Sequence, residues 1–263
     1  MQDYLKAAVE AARKAGSIQR DRIREAFAID MKGEKNLVTE VDRASEEVII
    51  DTLRSACPEC SFLAEESGAV STGSSLRWII DPLDGTTNYA HGFPWFAVSI
   101  ALEVEGELEL GVIFSPMMEE LFTATRGQGA RLNGRKISVS RREPLSGCLL
   151  ATGFPYDRTL RNENNFGNFI NFQLAARAVR RAGAAALDLA YVAAGRIDGY
   201  WECKLHPWDI AAGKLLVLEA GGVVTNHKGA PHLTDDHRIL ASNGLIHGEM
   251  LEILSSAPGQ PET

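Results

Sequence analysis

Trp78-Ile79-Ile80-Asp81-Pro82-Leu83-Asp84-Gly85-Thr86 is an apolar run that ends on two carboxylates spaced three residues apart. Pro82 fixes its own φ and removes an amide donor, and Gly85 permits the tight backbone that follows. The segment therefore reads as a buried strand, 77–80, running into a turn that is neither helix nor strand. Asp81 and Asp84 can point from that turn toward one spot, with the Leu83 carbonyl between them. Oxygen donors on a rigid turn are what a hard cation such as Mg2+ requires.

Upstream of this turn, Leu5, Ala8, Val9, Ala12, Ala15 and Ile18 recur at helical spacing, which predicts a helix over 2–26. A polar linker follows at 32–36. Thr39 is an N-cap candidate, with Asp42 three residues on, for a second helix to about Cys57 that buries Val48, Ile49, Thr52 and Leu53. Ser61 to Ala64 reads as another short strand, and it too ends at an acid, Glu65. Downstream, strands are predicted at 97–104, 108–114 and 121–125, with Asn133-Gly134 as a hairpin turn. Gly127-Gln128-Gly129 is a hairpin feature and not a nucleotide loop, since no helical pattern follows it. This half reads as an antiparallel sheet backed by the two helices.

The second half alternates. Strands are expected at 149–152, 178–180, 197–202, 223–225 and 239–241. Helices are expected at 163–176, 183–194, 209–220 (closed by Gly221-Gly222) and 247–255. The expected division is an N-terminal α+β half, 1–143, carrying Glu65, Asp81 and Asp84, and a C-terminal α/β half, 144–263, carrying Glu202 and Asp209. The tail from 258 is expected to fray.

At 263 residues with 45% hydrophobic content the chain can bury a full core without staples. Its formal net charge of -8 argues against direct nucleic-acid binding, which needs a basic face. It would also repel a phosphate unless cations in the site invert the local field. Cys57 and Cys60 are spaced C-x-x-C, but Cys148 and Cys203 stand alone, so no second zinc pair exists. The pair follows a helix and leads into a strand, the reverse of the usual redox context, and reads as a reduced turn. The N-terminus is amphipathic and unlike a signal sequence. No apolar stretch reaches the ~18 residues of a membrane span, so a cytoplasmic protein is expected.

Three segments supply acids: Ala64-Glu65-Glu66-Ser67, the Asp81/Asp84 turn, and Trp208-Asp209-Ile210-Ala211-Ala212-Gly213. Taken singly, Glu65 is a strand-end acid and Asp209 a helix cap. Together, four carboxylates on one patch repel one another unless cations neutralise them. Two Mg2+ ions would balance them, and such a pair can ionise a water and stabilise a leaving oxygen. Gly85-Thr86-Thr87-Asn88 adds amides able to cradle a phosphate and, in Thr86, a hydroxyl able to orient a water.

AEES at 64–67, DPLDGTTN at 81–88, WDIAAG at 208–213 and EAGG at 219–222 resemble the inositol monophosphatase family, within the Mg2+-dependent, lithium-sensitive sugar phosphatases. The similarity extends from LVTEVD at 37–42 to EAGG. It implies a layered α-β-α-β-α sandwich of the inositol monophosphatase/fructose-1,6-bisphosphatase type. It further implies a first metal on Glu65, Asp81 and the Leu83 carbonyl, and a second on Asp81, Asp84 and Asp209. Glu65 would help a third through water; Mn2+ could stand in for Mg2+. Catalysis would fall to Glu65, Thr86 and Asp84, with Thr86 and Glu65 orienting and deprotonating a water, and the amides of Gly85 and Thr86 would receive the phosphate. Asp42 matches an acid that acts near the metals through water, although a helix-start role accounts for it equally well. Gly183, Ala184, Ala185, Glu202 and Asp209 match substrate-contacting positions. Ala184 stands where the family carries a hydroxyl, and Gly153-Phe154-Pro155-Tyr156 resembles the bacterial members. His91 and His206 read as packing or rim residues, and Arg180 and Arg181 as a subunit interface or a pocket wall.

The expected activity is Mg2+-dependent hydrolysis of myo-inositol 1-phosphate by in-line attack of water, without a phosphoenzyme. Related sugar, histidinol or nucleotide phosphates on the same scaffold are the enzymatic alternative. A regulatory protein that associates with the transcription machinery through protein surfaces is the alternative from another class. A homodimer is expected from the resemblance.

Overall fold

The computed structural model describes residues 1–23, 29–31 and 37–256. The first half opens with α1 (Gln2–Arg22), then β1 (Ile29–Met31), β2 (Leu37–Thr39) and α2 (Glu40–Ala56). It continues with β3 (Ser61–Ala64), β4 (Gly68–Val70), β5 (Leu76–Asp84), α3 (Thr86–Ala90) and β6 (Ala97–Val104). A meander follows: β7 (Glu107–Ser115), β8 (Glu120–Thr125), β9 (Ala130–Leu132) and β10 (Arg135–Lys136). The second half contains β11 (Leu149–Thr152), α4 (Phe166–Ala175), β12 (Ala178–Arg180), α5 (Ala185–Ala193) and β13 (Gly199–Cys203). It ends with α6 (Pro207–Glu219), β14 (Val223–Thr225), β15 (Arg238–Ser242) and α7 (His247–Ser255). Positions 24–26 of the expected first helix, the linker at 32–36, the Thr39 side chain and the tail from 258 lie outside the described residues.

Two large mixed sheets organise the molecule. One has eight strands in the order β10-β9-β8-β7-β6-β5-β3-β4, and the other five, β12-β11-β13-β15-β14. The first is antiparallel except where β3 runs parallel to β5, so the expected antiparallel sheet is a mixed one. The strand period of two assigns its faces. Trp78, Ile80, Val98, Ile100 and Val112 pack with Ala8, Ala12, Ile49 and Leu53 of α1 and α2. Ile79, Ala101, Ile113 and Phe122 face α5 and α6, which also meet Ala151, Tyr200 and Ile239 of the second sheet. Leu150, Trp201 and Leu240 on that sheet's far side pack with Phe172 of α4 and Met250 of α7. The result is an α-β-α-β-α sandwich. Helix α6, apolar on nearly every side, fits a position buried between two sheets. A Cβ on Gly111 of β7 would come within 2.9 Å of the Ala212 carbonyl, so the glycine lets α6 sit down on the sheet.

Three features depart from the sequence reading. The Asp81–Asp84 segment is not a free turn: β5 continues through Pro82 to Asp84, which pairs with Ala97 after an irregularity in register. A bulge absorbs the missing proline donor there. Strands β1, β2 and β4 were not expected, being only three residues each. Cys57 and Cys60 form a disulfide, contrary to the reduced turn expected; with Cα atoms 5.5 Å apart they lie within disulfide reach. The hairpin at Asn133-Gly134 matches expectation, both residues having positive φ as a primed turn requires.

Candidate active site

Parallel pairing of β3 with β5, Ala64 opposite Ile80, brings the two strand ends side by side. The Glu65 amide then donates to the Ile80 carbonyl at 3.2 Å. Asp81 shares the parity of Ile79 and so belongs to the face that α6 covers, where Asp209 stands in that helix's first turn. One carboxylate oxygen from each of Asp81, Asp84 and Asp209 lies within 4.8 Å of the others, and Glu65 lines the same cleft.

Burial raises the Asp81 carboxyl well above the usual carboxylate range, and Glu65, Asp84 and Asp209 add to the effect. Asp209 is raised likewise, by burial and then Glu65. Asp84 rises to about 7, mainly through burial, although the Ala186 and Ala185 amides oppose it. An acid set this compressed fits divalent cations held by oxygen. In the metal-free folded chain these carboxyls keep protons at pH values where the unfolded chain, titrating near 3.8, has released them. Their contribution to stability is therefore greatest at low pH and is lost as pH rises above about 4, for Asp84 through about 7. We expect Tm in EDTA to fall between about pH 5 and about pH 8, and Mg2+ to raise it by several degrees at the higher pH only. Thermal melts check this; a Mg2+ effect of equal size at both pH values would contradict it.

Gly85, at φ 94°, forms the αL corner that starts α3. A Cβ there would also press on the Trp95 carbonyl at 3.0 Å. The buried Thr86 hydroxyl is 3.0 Å from Asp42 Oδ1 and 3.1 Å from the Leu83 carbonyl, two acceptors for its one hydrogen. Thr86 also lines the cleft, where its oxygen can accept from a water. Asp42 is fully buried, so the acid that the sequence left between two roles is joined to the site. Asn88 Nδ2 clamps this corner to the second half by donating to Trp95 O at 2.7 Å and Ala182 O at 2.9 Å.

Two positioning groups escaped the sequence reading. Glu46, buried on α2, accepts the Glu66 and Ser67 amides at 2.8 Å each. It thereby fixes the backbone just past Glu65. Its signal was a charge on the helix face shared with Ile49 and Leu53. Asp84, beyond any metal role, accepts the Ala185 and Ala186 amides at 3.2 and 2.7 Å. Helix α5 has only Ala184 at its N-cap, so an acid from the other half satisfies its orphan donors.

The cleft is also lined by Gly183, Ala184, Ala185, Arg181, Glu202 and the 153–156 loop. Glu202 accepts from the Tyr200 hydroxyl at 2.5 Å and is raised to about 7 by burial, which Tyr200 and Arg181 oppose. Its carboxylate lies directly over Gly153, where a Cβ would fall 2.1 Å from both oxygens. The expected residues Glu65, Asp81, Leu83, Asp84, Gly85, Thr86, Gly183, Ala184, Ala185, Glu202 and Asp209 all line this one cleft of about 140 Å³. His206 lies at its rim and caps α6, while His91 is exposed and outside it. Arg181 forms part of the wall.

The model of the inositol monophosphatase family matches residues 1–258. The Nus factor SuhB of Pseudomonas aeruginosa is 47% identical over 250 residues, covering 92% of both chains. An inositol-1-monophosphatase of Synechocystis is 43% identical over 260 residues, 98% of this chain and 91% of its own. The structure of inositol monophosphatase from Anabaena (Nostoc) superposes with a TM-score of 0.89 at 43% identity, covering 98% of this chain and 97% of the other.

Proposed function

The chain belongs to the inositol monophosphatase family, and from that premise we propose that it hydrolyses polyol monophosphates, myo-inositol 1-phosphate first among them. The observation that carries this reading is three acid oxygens within 4.8 Å of one another, in one cleft with Glu202 and with Thr86, whose hydroxyl is bonded to Asp42. Mg2+ held by Glu65, Asp81, the Leu83 carbonyl, Asp84 and Asp209 would neutralise the acids, draw in the phosphate and lower the pKa of a bound water.

The chain's own groups do the rest. Thr86, its proton committed to Asp42 and the Leu83 carbonyl, accepts from the water and aims it. Glu65 takes the proton that water loses. Amides at Gly85 and Thr86 hold phosphate oxygens. Glu202 accepts hydrogen bonds from hydroxyls of the leaving polyol, while Ala184 offers none. Phosphate release from a panel of inositol, sugar, histidinol and nucleotide monophosphates, with Mg2+, with Mg2+ plus Li+, and with EDTA, tests the reading. The highest kcat/KM should fall on the inositol ester and vanish in EDTA. Preference for another ester by tenfold would reassign the substrate, and no turnover on any would reject the activity.

A second reading rests on the 47% identity to a protein named Nus factor SuhB: association with the transcription machinery through protein surfaces. Partners retained in a pull-down by both the active chain and Asp209→Asn would support it, and their absence from both would remove it. A homodimer in solution is part of both readings, and light scattering measures it.

A further inference from the structure

Residues 153–157, the first part of the segment joining β11 to α4, run along the cleft and are fastened at both ends. At their start, Asn165 Nδ2 donates to the Gly153 carbonyl at 2.7 Å and to Thr152 Oγ1 at 2.9 Å, while Trp201 Nε1 holds Asn165 Oδ1 at 2.9 Å. Asn165 adopts φ 68° to do this. In the middle, Phe154 packs on Phe166 and Phe169, with ring centroids 5.1 and 5.5 Å away. At Asp157, the end of the part that lines the cleft, Lys204 Nζ bonds both carboxylate oxygens at 2.9 Å. Lys204 itself sits at φ 60°, a backbone cost for a non-glycine residue that is tolerated where surroundings enforce it.

Between these anchors stands Tyr156. The residue is 48% exposed, yet it lines the cleft with Glu65, Asp84 and Asp209, and its hydroxyl lies beside the Thr87 side chain. Thr87 follows Thr86 in the first turn of α3, so the phenol stands beside the amides proposed to hold the phosphate. A tied loop that keeps a partly exposed tyrosine beside an acid cluster is preorganised for a ligand and adds little to the core.

We infer that Tyr156 is a phosphate-contacting residue, donating its phenolic hydrogen to a non-bridging oxygen of the phosphate group, with the Lys204–Asp157 ion pair holding it in place. This rests on the phosphatase reading above. A donor serving the phosphate equally in substrate and transition state changes KM more than kcat. The test is calorimetric titration of inorganic phosphate into the full chain with saturating Mg2+, alongside steady-state kinetics, for wild type, Tyr156→Phe and Lys204→Ala.

Tyr156→Phe keeps the ring and should leave Tm unchanged. Its phosphate Kd and its KM should each rise about tenfold, with kcat within about threefold. Lys204→Ala should shift Kd in the same direction by a smaller factor. If wild type hydrolyses esters and Tyr156→Phe matches it in Kd and KM, the assignment is overturned and the phosphatase reading stands. If wild type binds phosphate but cleaves no ester, the phosphatase reading falls, and the Kd of Tyr156→Phe still decides the assignment. Wild type that neither binds phosphate nor cleaves an ester overturns both.

Discussion

Asp84→Asn and Asp209→Asn should each lower kcat/KM by about a thousandfold, while differing in their effect on the metal-free fold. Either change removes the charge of one of the three acids whose oxygens pack within 4.8 Å, so either weakens the charge balance that recruits cations and phosphate. In EDTA above neutral pH, Asp209→Asn should raise Tm. It relieves repulsion, and an asparagine oxygen can still accept the His206 amide that Asp209 now takes at 2.7 Å. Asp84→Asn relieves repulsion too, but it offers one oxygen where two amides of α5 now find acceptors. The lost partner costs about 1 kcal/mol, so its rise in Tm should be the smaller. Kinetics and melts on both variants decide the matter. Near-normal turnover in either would remove that residue from the site, and equal Tm shifts would mean that the α5 cap contributes nothing.

Most elements of the fold were legible because their signals are local. The helical spacing of Ala8, Ala12 and Ala15, the Asn133-Gly134 turn and the Gly221 stop each depend on a few neighbouring residues. What escaped depends on partners far along the chain. Pro82 argues locally against a strand, yet the pairing of Asp84 with Ala97 carries β5 past it. β4 is too short to show a period and exists because β3 offers it an edge.

The acids of the site were legible for the opposite reason. Carboxylates at two strand ends and a helix start are unusual enough in combination to point at one place. Their supports were not, since nothing in the local sequence says that Glu46 reaches the amides beyond Glu65. Nor does it say that Glu202 needs the bare Cα of Gly153 beneath it.

Asp42 is the residue on which sequence alone was evenly divided, and it carries the second large effect. Thr86→Ala should lower kcat about a hundredfold with little change in Tm or in Mg2+ affinity. It removes the hydroxyl that aims the water and leaves every carboxylate in place. Thr86→Ser, which keeps the hydroxyl, should recover most of that loss. Asp42→Asn leaves the Thr86 hydroxyl but can turn an amide donor toward it in place of the oxygen at 3.0 Å. The threonine would then direct its hydrogen elsewhere and lose the lone-pair geometry offered to water, so kcat should fall by a similar factor. If the two side chains act as one unit, the double variant Asp42→Asn/Thr86→Ala should be little worse than Thr86→Ala alone. Multiplicative losses in that cycle would mean that Asp42 serves the site by some other route, such as the field of its own buried charge. Thr86 would then depend on the Leu83 carbonyl for its orientation.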